Sequence, residues 1–329
     1  VRDHINEYYR NRAEEAVEAD FETIDKFYKA LKSRNSGTQQ DLFDQIDILV
    51  ILLIYPVWLV NMNDVSKVLP LTHELFDVVI IDEATQCDIA SCLPVLQRAK
   101  KVVFAGDPKQ LRHVSFLSRE RQYAFAQKYE LNYYIDGPLN YREKSILDVS
   151  GDVLKNREQL IFLDEHFRSR PDLIRFSNQH FYNNDLRIMT EKPGMEEQSL
   201  FIHHCGGKRV ATGYNAIEAD KLLDKVKQIV QKQAGLPQHE CSSIGVLSPF
   251  RDQVNHVSRK FSNQFDISEI EKHQIAVGTA YSFQGEERDI MLISFAVDDN
   301  SHSSAFYHLN KPDVFNVAIT RARSEPVSY

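Results

Sequence analysis

Asp82 and Glu83 close an apolar run, Asp77-Val-Val-Ile-Ile81, and lead into Ala84-Thr-Gln86. A continuous apolar run of this kind reads as a strand buried on both faces of a parallel sheet. Ligands of such sheets bind at the carboxyl ends of the strands, so the two acids would stand where a ligand sits. Adjacent carboxylates there suit hydrolysis of a nucleoside triphosphate. One supplies oxygen to the shell of Mg²⁺ and the other orients or deprotonates the attacking water. The same residues also fit an acidic strand-to-helix turn in which Asp82 is a helix cap.

The elements that follow bear on that choice. Asp88 to Ala99 has helical spacing in Ile89, Leu93 and Leu96. Lys101-Val-Val-Phe-Ala105 is a second buried strand, ending in Gly106-Asp-Pro-Lys-Gln-Leu111. A glycine, a carboxylate, a turn-fixing proline and an amide thus stand at the end of a neighbouring strand. Together the two stretches resemble motifs II and III of superfamily 1 helicases. Three more stretches follow in family order. Leu163-Asp-Glu-His-Phe-Arg-Ser-Arg-Pro171 resembles motif IV, Val277 to Asp289 resembles motif V, and Phe315-Asn-Val-Ala-Ile-Thr-Arg-Ala-Arg323 resembles motif VI. The pattern is most similar to the branch that includes the helicase of nonsense-mediated decay and many bacterial relatives.

The resemblance implies an α/β fold of two RecA-like, P-loop NTPase lobes, with parallel sheets covered by helices and ATP held in the cleft between them. It places Asp82 in the Mg²⁺ shell and makes Glu83 the general base. It makes Gln110 a sensor of the terminal phosphate, and Arg168 and Arg321 cationic fingers on the same phosphate. Guanidinium suits that role because it is always charged and binds oxygens in a planar fork. The plainer readings are a salt bridge of Arg168 with Glu165 or Asp172, and a basic C-terminal helix face for Arg321 and Arg323. Gly106, Asp107, Phe167, Gly285 and Glu287 are the implied nucleotide contacts. Phe167 stands where the family has tyrosine and keeps a ring that can stack on adenine. Glu287 aligns with the acid that meets the ribose, while Glu286 replaces a cation. Ser248, Thr279 and Ser282 are implied to touch the backbone of single-stranded DNA or RNA.

One string is absent. No G-x-x-x-x-G-K-[ST] phosphate loop occurs. Gly206-Gly-Lys-Arg209 is the nearest match, and Arg209 stands where Ser or Thr would hold Mg²⁺. In the family that loop precedes motif II, so the first lobe is expected to be incomplete at its N-terminus and the chain alone inactive. A fused nuclease or partner domain would lie outside it. A different class of function, a non-catalytic nucleic-acid- or protein-binding scaffold on a degenerate ATPase fold, rests on the same absence. The intact acids, amide and arginines argue against it.

The 329 residues suffice for two domains, and 43% hydrophobic with 26% charged residues is ordinary for a globular protein. The net charge of −8 gives no bulk attraction for nucleic acid, so any basic contacts must be local. Cys87, Cys92, Cys205 and Cys241 lack C-x-x-C spacing and read as reduced thiols of a cytoplasmic protein. His203-His204 alternate faces of a strand, against a metal site. The most apolar run, Ile46 to Val60, is too short for a membrane span and is divided by Pro56. It reads as a buried segment feeding the sheet. Trp58 within it is either core or a base-stacking ring.

Three segments result. Residues 1–45 are helical, with an apolar stripe of Tyr8, Ala16, Phe21, Ile24, Phe27 and Leu31, and form an insertion or stalk. Residues 46–160 form the partial first lobe with motifs II and III. Residues 161–329 form the second lobe with motifs IV to VI. There the expected strands are 199–204, 243–248, 275–279 and 289–295, with helices at 215–233 and 249–260.

Overall fold

The computed structural model describes residues 2–135, 137, 139–154, 156–191, 199–283, 285–309 and 312–328, with backbone only at 157, 308, 312–315 and 323–328. The chain divides into two compact units, 1–107 with 112–154, and 108–111 with 155–329.

The first unit opens with helices α1 (Arg2–Ala19), α2 (Phe21–Lys32), α3 (Ser36–Phe43) and α4 (Ile48–Ile54). Their starts are set by side-chain caps. Asp20 accepts from Thr23 N at 3.0 Å, Asn35 from Gly37 N at 2.9 Å, and Asp47 from Leu49 N at 3.0 Å. The Asp20 cap breaks the expected single stripe between two helices. Ala16 is buried and Ile24 and Phe27 pack on the core, whereas Tyr8, Phe21 and Leu31 are exposed. The apolar run from Ile46 is likewise a capped helix followed by irregular chain, with Leu49, Leu53, Val57 and Leu59 exposed. It does not feed the sheet as a strand, because Asp47 starts a helix and Pro56 cannot extend one. Trp58 donates from Nε1 to Tyr55 O at 2.7 Å and lies 5.9 Å from the Phe27 ring, joining the core.

After α5 (Val65–Val68) come the parallel strands β1 (Phe76–Ile81) and β2 (Ala99–Phe104), joined through α6 (Ile89–Gln97). Ile51, Val65, Ile81, Ala84, Cys92 and Val95 are among the side chains buried between sheet and helices. The sheet has two strands among the described residues. Consequently β1 is not buried on both faces, as its sequence suggests. Val78 is 50% and Ile80 68% exposed, on the same face as Val103 at 50%. Helices α7 (Arg119–Lys128), α8 (Asn132–Ile135) and α9 (Ile146–Val153) complete the unit.

The second unit begins with the short parallel pair β3 (Glu165–His166) and β4 (Arg187–Ile188), which flank α10 (Pro171–Phe181). Its main sheet comprises β5 (Phe201–Ile202), β6 (Ile244–Leu247), β7 (Ala276–Gly278), β8 (Arg288–Ile293) and β9 (Ala322–Ser328). The spatial order is β5-β9-β8-β6-β7, and all four pairings are parallel. Helices α11 (Ala216–Lys232), α12 (Arg251–Ser262), α13 (Ile267–Lys272), α14 (Ser303–Leu309) and α15 (Pro312–Thr320) connect the strands. Alternation along β8 divides the core. Ile290 and Leu292 join Leu222, Val226 and Val257, while Met291 and Ile293 join Leu173, Phe283 and Val317. Each fully buried leucine on either side contributes about 1.5–3 kcal/mol. A parallel sheet with apolar cores on both faces is a RecA-like α/β arrangement. Thr320 ends α15 and Arg323 lies in β9, so the two arginines do not share a basic helix face; the Arg323 side chain lies outside the described residues.

Candidate nucleotide site

Parallel pairing with Ile81 opposite Phe104 brings the residues after both strands to one sheet edge. Ala105 N donates to Ile81 O at 2.9 Å, and Ala84 N donates to Ala105 O at 2.8 Å. Between them the chain turns sharply, with Glu83 in the left-handed region at φ 50°. Asp82 is exposed, and one of its oxygens accepts from Glu83 N at 2.9 Å. Glu83 Oε2 accepts from Gln86 Nε2 at 3.2 Å. Asp82 is therefore not a helix cap. Asp88 caps α6 instead, accepting from Ser91 N at 2.9 Å. Gly106 lies against this turn. A Cβ there would stand 3.1 Å from Ala84 N and 3.2 Å from both Thr85 N and Leu147 Cδ2. Asp107, the last residue of the unit before Pro108, is half-buried.

In the second unit, Gln110 Oε1 accepts from Arg321 Nη2 at 3.0 Å across 211 positions of sequence. Arg321 is only 2% exposed, and Asn316 nearby donates through Nδ2 to Lys109 O at 3.1 Å and Tyr182 Oη at 3.0 Å. Asn316 was not singled out from sequence, although it lies inside Phe315–Arg323. Its carboxamide could be recognised only once the 108–111 segment was placed against α15.

Arg168 forms an ion pair with Glu287, not with Glu165 or Asp172. Glu165 pairs with Arg187 at 3.2 Å, and Asp172 accepts from Ser199 N at 2.5 Å. At the end of β3, His166 Nε2 accepts from Ser169 N at 2.8 Å, so that nitrogen carries no proton. Burial, and then the Arg168 guanidinium, hold its pKa below the ordinary imidazole range, with Glu287 opposing. The Phe167 ring is 66% exposed and is not a core aromatic. Gly285 takes φ 76°, which lets the chain turn before Glu287. Glu286, the acid in place of a cation, pairs with Arg288 at 2.8 Å.

Ser248 and Thr279 follow β6 and β7, whose register sets Leu247 beside Gly278. Ser248 is 3% exposed and accepts at Oγ from Phe250 N at 3.3 Å. Thr279 and Ser282 meet each other, Oγ1 to Oγ at 3.4 Å, with Ser282 exposed. A neighbouring buried network has no counterpart in the sequence reading. Gln253 accepts from Asn215 N at 2.8 Å and donates to Ser294 Oγ at 2.9 Å. Ser294 and Ala296 N in turn donate to Glu218 at 2.5 and 2.9 Å. Burial pushes the Glu218 carboxyl above its ordinary pKa, and those donors oppose the shift. No helix among the described residues is long and apolar enough to cross a membrane.

Comparison with known proteins bears on these motifs directly. A family model described as an AAA domain matches residues 149–327, and a second of the same description matches residues 63–116. The chain is 27% identical over 282 residues to the "Uncharacterized ATP-dependent helicase MG140" of Mycoplasma genitalium, covering 82% of this chain and 24% of that protein. It is 26% identical over 266 residues to "Helicase sen1" of Schizosaccharomyces pombe, covering 76% and 14%. To the "Uncharacterized ATP-dependent helicase MJ0104" of Methanocaldococcus jannaschii it is 28% identical over 274 residues, covering 75% and 35%. The chain thus spans roughly a third or less of the length of these curated relatives. The larger family match takes in more than half of the chain, and with the ordered motifs it gives the assignment: the chain belongs to the AAA-domain family, in the superfamily 1 helicase branch whose motifs it carries.

Proposed function

We propose that this chain carries most of the motor core of an ATP-dependent nucleic-acid helicase or translocase, acting on single-stranded DNA or RNA within a longer protein. The observation that best supports this reading is the Arg321–Gln110 hydrogen bond at 3.0 Å, which links motif VI to motif III. It joins the implied phosphate sensor to an implied finger arginine, two groups whose contacts change when the terminal phosphate leaves.

Asp82 and Glu83 offer hard carboxylate oxygens at a sheet edge, the donor type that Mg²⁺ takes, so the residues fit the ion. Asp82 would hold it. When bound, Mg²⁺ would neutralise charge on the phosphates. Glu83, half-buried in the left-handed turn after β1, orients the attacking water and takes its proton. Arg168 and Arg321 stabilise charge on the transferred phosphoryl group. Phe167 offers an open ring face to adenine, with Gly106, Asp107, Gly285 and Glu287 as further nucleotide contacts. Thr279 and Ser282, with the buried Ser248 behind them, meet the nucleic-acid backbone.

The test is Glu83→Gln in the longer protein. The amide keeps the shape but cannot accept the proton. Phosphate release stimulated by single-stranded nucleic acid should fall by at least ~100-fold while ATP binding is retained. Turnover near that of the unmodified protein would remove Glu83 from the chemistry.

A further inference from the structure

We infer that the outer face of α7, from Arg121 to Tyr129 and on to Tyr133 in α8, is a landing surface for single-stranded nucleic acid, where cations meet phosphates and aromatic rings stack on bases. The helix starts at Ser118, whose Oγ accepts from Arg121 N at 3.3 Å. It stops at Glu130, which takes φ 58°, and Leu131 N turns back to Ala126 O at 2.8 Å. Of its side chains, Gln122 and Ala126 are buried. At about 100° per residue, Arg121, Phe125 and Lys128 fall within an arc of about 60° beside that buried pair, with Tyr129 next to them. Phe125 is 52%, Tyr129 59% and Tyr133 82% exposed. The Lys128 ammonium lies 5.1 Å from the centre of the Tyr129 ring. Single apolar side chains in water need no explanation, but a row of open rings set among cations marks a binding face.

Charge selects the partner. In the same unit Lys67, Lys100, Arg112 and Lys144 are each paired with an aspartate. Neither Arg121 nor Lys128 forms an ion pair among the described residues, and Glu120 falls outside their arc. On a chain of net charge −8, these are the local basic contacts that binding a polyanion needs. A single strand supplies phosphates for the cations and flat faces for the rings, and any base satisfies the rings. An acidic protein surface would answer the charges and leave the rings in water. The face is also fixed relative to the turn after Asp82 and Glu83. Gln122 Nε2 donates to Asn140 Oδ1 at 3.3 Å, Tyr141 O and His113 Nε2 lie 2.8 Å apart, and His113 N donates to Thr85 O at 3.1 Å.

The choice of a single strand as occupant rests on the function proposed above, but the surface is separate from the contacts at Thr279 and Ser282. The longer protein, without ATP, is titrated with fluorescein-labelled oligothymidine and followed by anisotropy over a salt series. Phe125→Ala should weaken binding about 5- to 100-fold, the loss of one stacked base, and Phe125→Trp should restore it. Arg121→Gln with Lys128→Gln should weaken binding and reduce the salt slope by about 1.4, for two phosphates no longer neutralised. Irradiation of the protein bound to an iodouracil-substituted strand should link the strand to Phe125, Tyr129 or Tyr133, read by peptide mapping. Thr279→Val with Ser282→Ala separates the two surfaces. Loss of binding there, with the α7 variants binding as the unmodified protein does, would overturn the α7 surface and leave the other contacts standing. Phe125→Trp as weak as Phe125→Ala, an unchanged salt slope, or links confined to the second unit would also overturn it. Variants that keep their affinity and change the oligomeric state in sedimentation would assign the face to a second copy of the chain instead.

Discussion

Glu218 shows how much a single buried carboxylate can carry. It stands in the first turn of α11, where an acid ordinarily faces solvent and favours the helix N-terminus, yet it is 5% exposed. Its two oxygens accept from Asn215 Nδ2, Ser294 Oγ and Ala296 N, the last on a residue at φ 47°. Its pKa is raised, chiefly by burial, so the folded state binds the proton more tightly than the unfolded chain. The stability this group contributes is therefore fully present below the unfolded pKa and is lost as pH rises through the folded one. Glu218→Gln cannot titrate, and it sets an amide donor among donors. We expect it to be destabilising by about 1–3 kcal/mol at acid pH, with the gap to the unmodified chain narrowing as pH rises. Urea unfolding across a pH series measures both curves, and parallel curves would contradict the assignment. From sequence, Glu218 is one of several acids on a helix; only the approach of β8 and the chain beyond it makes it an interior residue.

Among the elements, the two strand ends that carry motifs II and III pack closely against each other. Gly106 has backbone of the acidic turn on one side and Leu147 on the other, with an added Cβ held to 3.1–3.2 Å. Backbone cannot give way as the tip of a flexible side chain can. Gly106→Ala should thus push the Ala84–Thr85 segment away and cost about 1–3 kcal/mol in the unfolding free energy of the first unit, read by denaturant titration. An alanine variant as stable as the unmodified chain would show that the strand ends are not in close contact. The glycine was legible in the Gly106-Asp-Pro string as a turn, but its packing role was not. The opposite happened at β1 and α4. Both are apolar runs, and apolarity alone reads as burial, whereas Ile80 and Leu49 are 68% and 60% exposed. Pattern reports which surface is apolar; which neighbours cover it is a property of the tertiary structure.

At the scale of the whole molecule, the acidic balance of −8 sets a limit on nucleic-acid binding. Counterion release scales with the number of phosphates neutralised, so few and local contacts give a shallow salt dependence. In the longer protein, affinity for a labelled single-stranded oligonucleotide should fall with salt with a slope of only a few released ions, and base sequence should matter little. Salt titration with single-stranded and duplex oligonucleotides measures this. Strong preference for one duplex sequence would favour a sequence-specific binding module over a motor.

The sequence by itself determined the kind of protein. Chemistry that depends on residue type and order is written locally, so Asp82-Glu83, the Gly106–Leu111 string and the later arginine motifs identified the superfamily 1 helicase pattern. It also determined most second-unit elements, because α11 carries clear periodicity of 3.6 and β8 a continuous apolar run. What only the tertiary structure decided is pairing. Arg168 meets Glu287, Arg321 meets Gln110, and Glu218 is drawn into the interior. These partners are far apart along the chain, and periodicity cannot select among the many carboxylates and amides of the sequence. The choice is made when parallel strands fix their register and bring particular ends together.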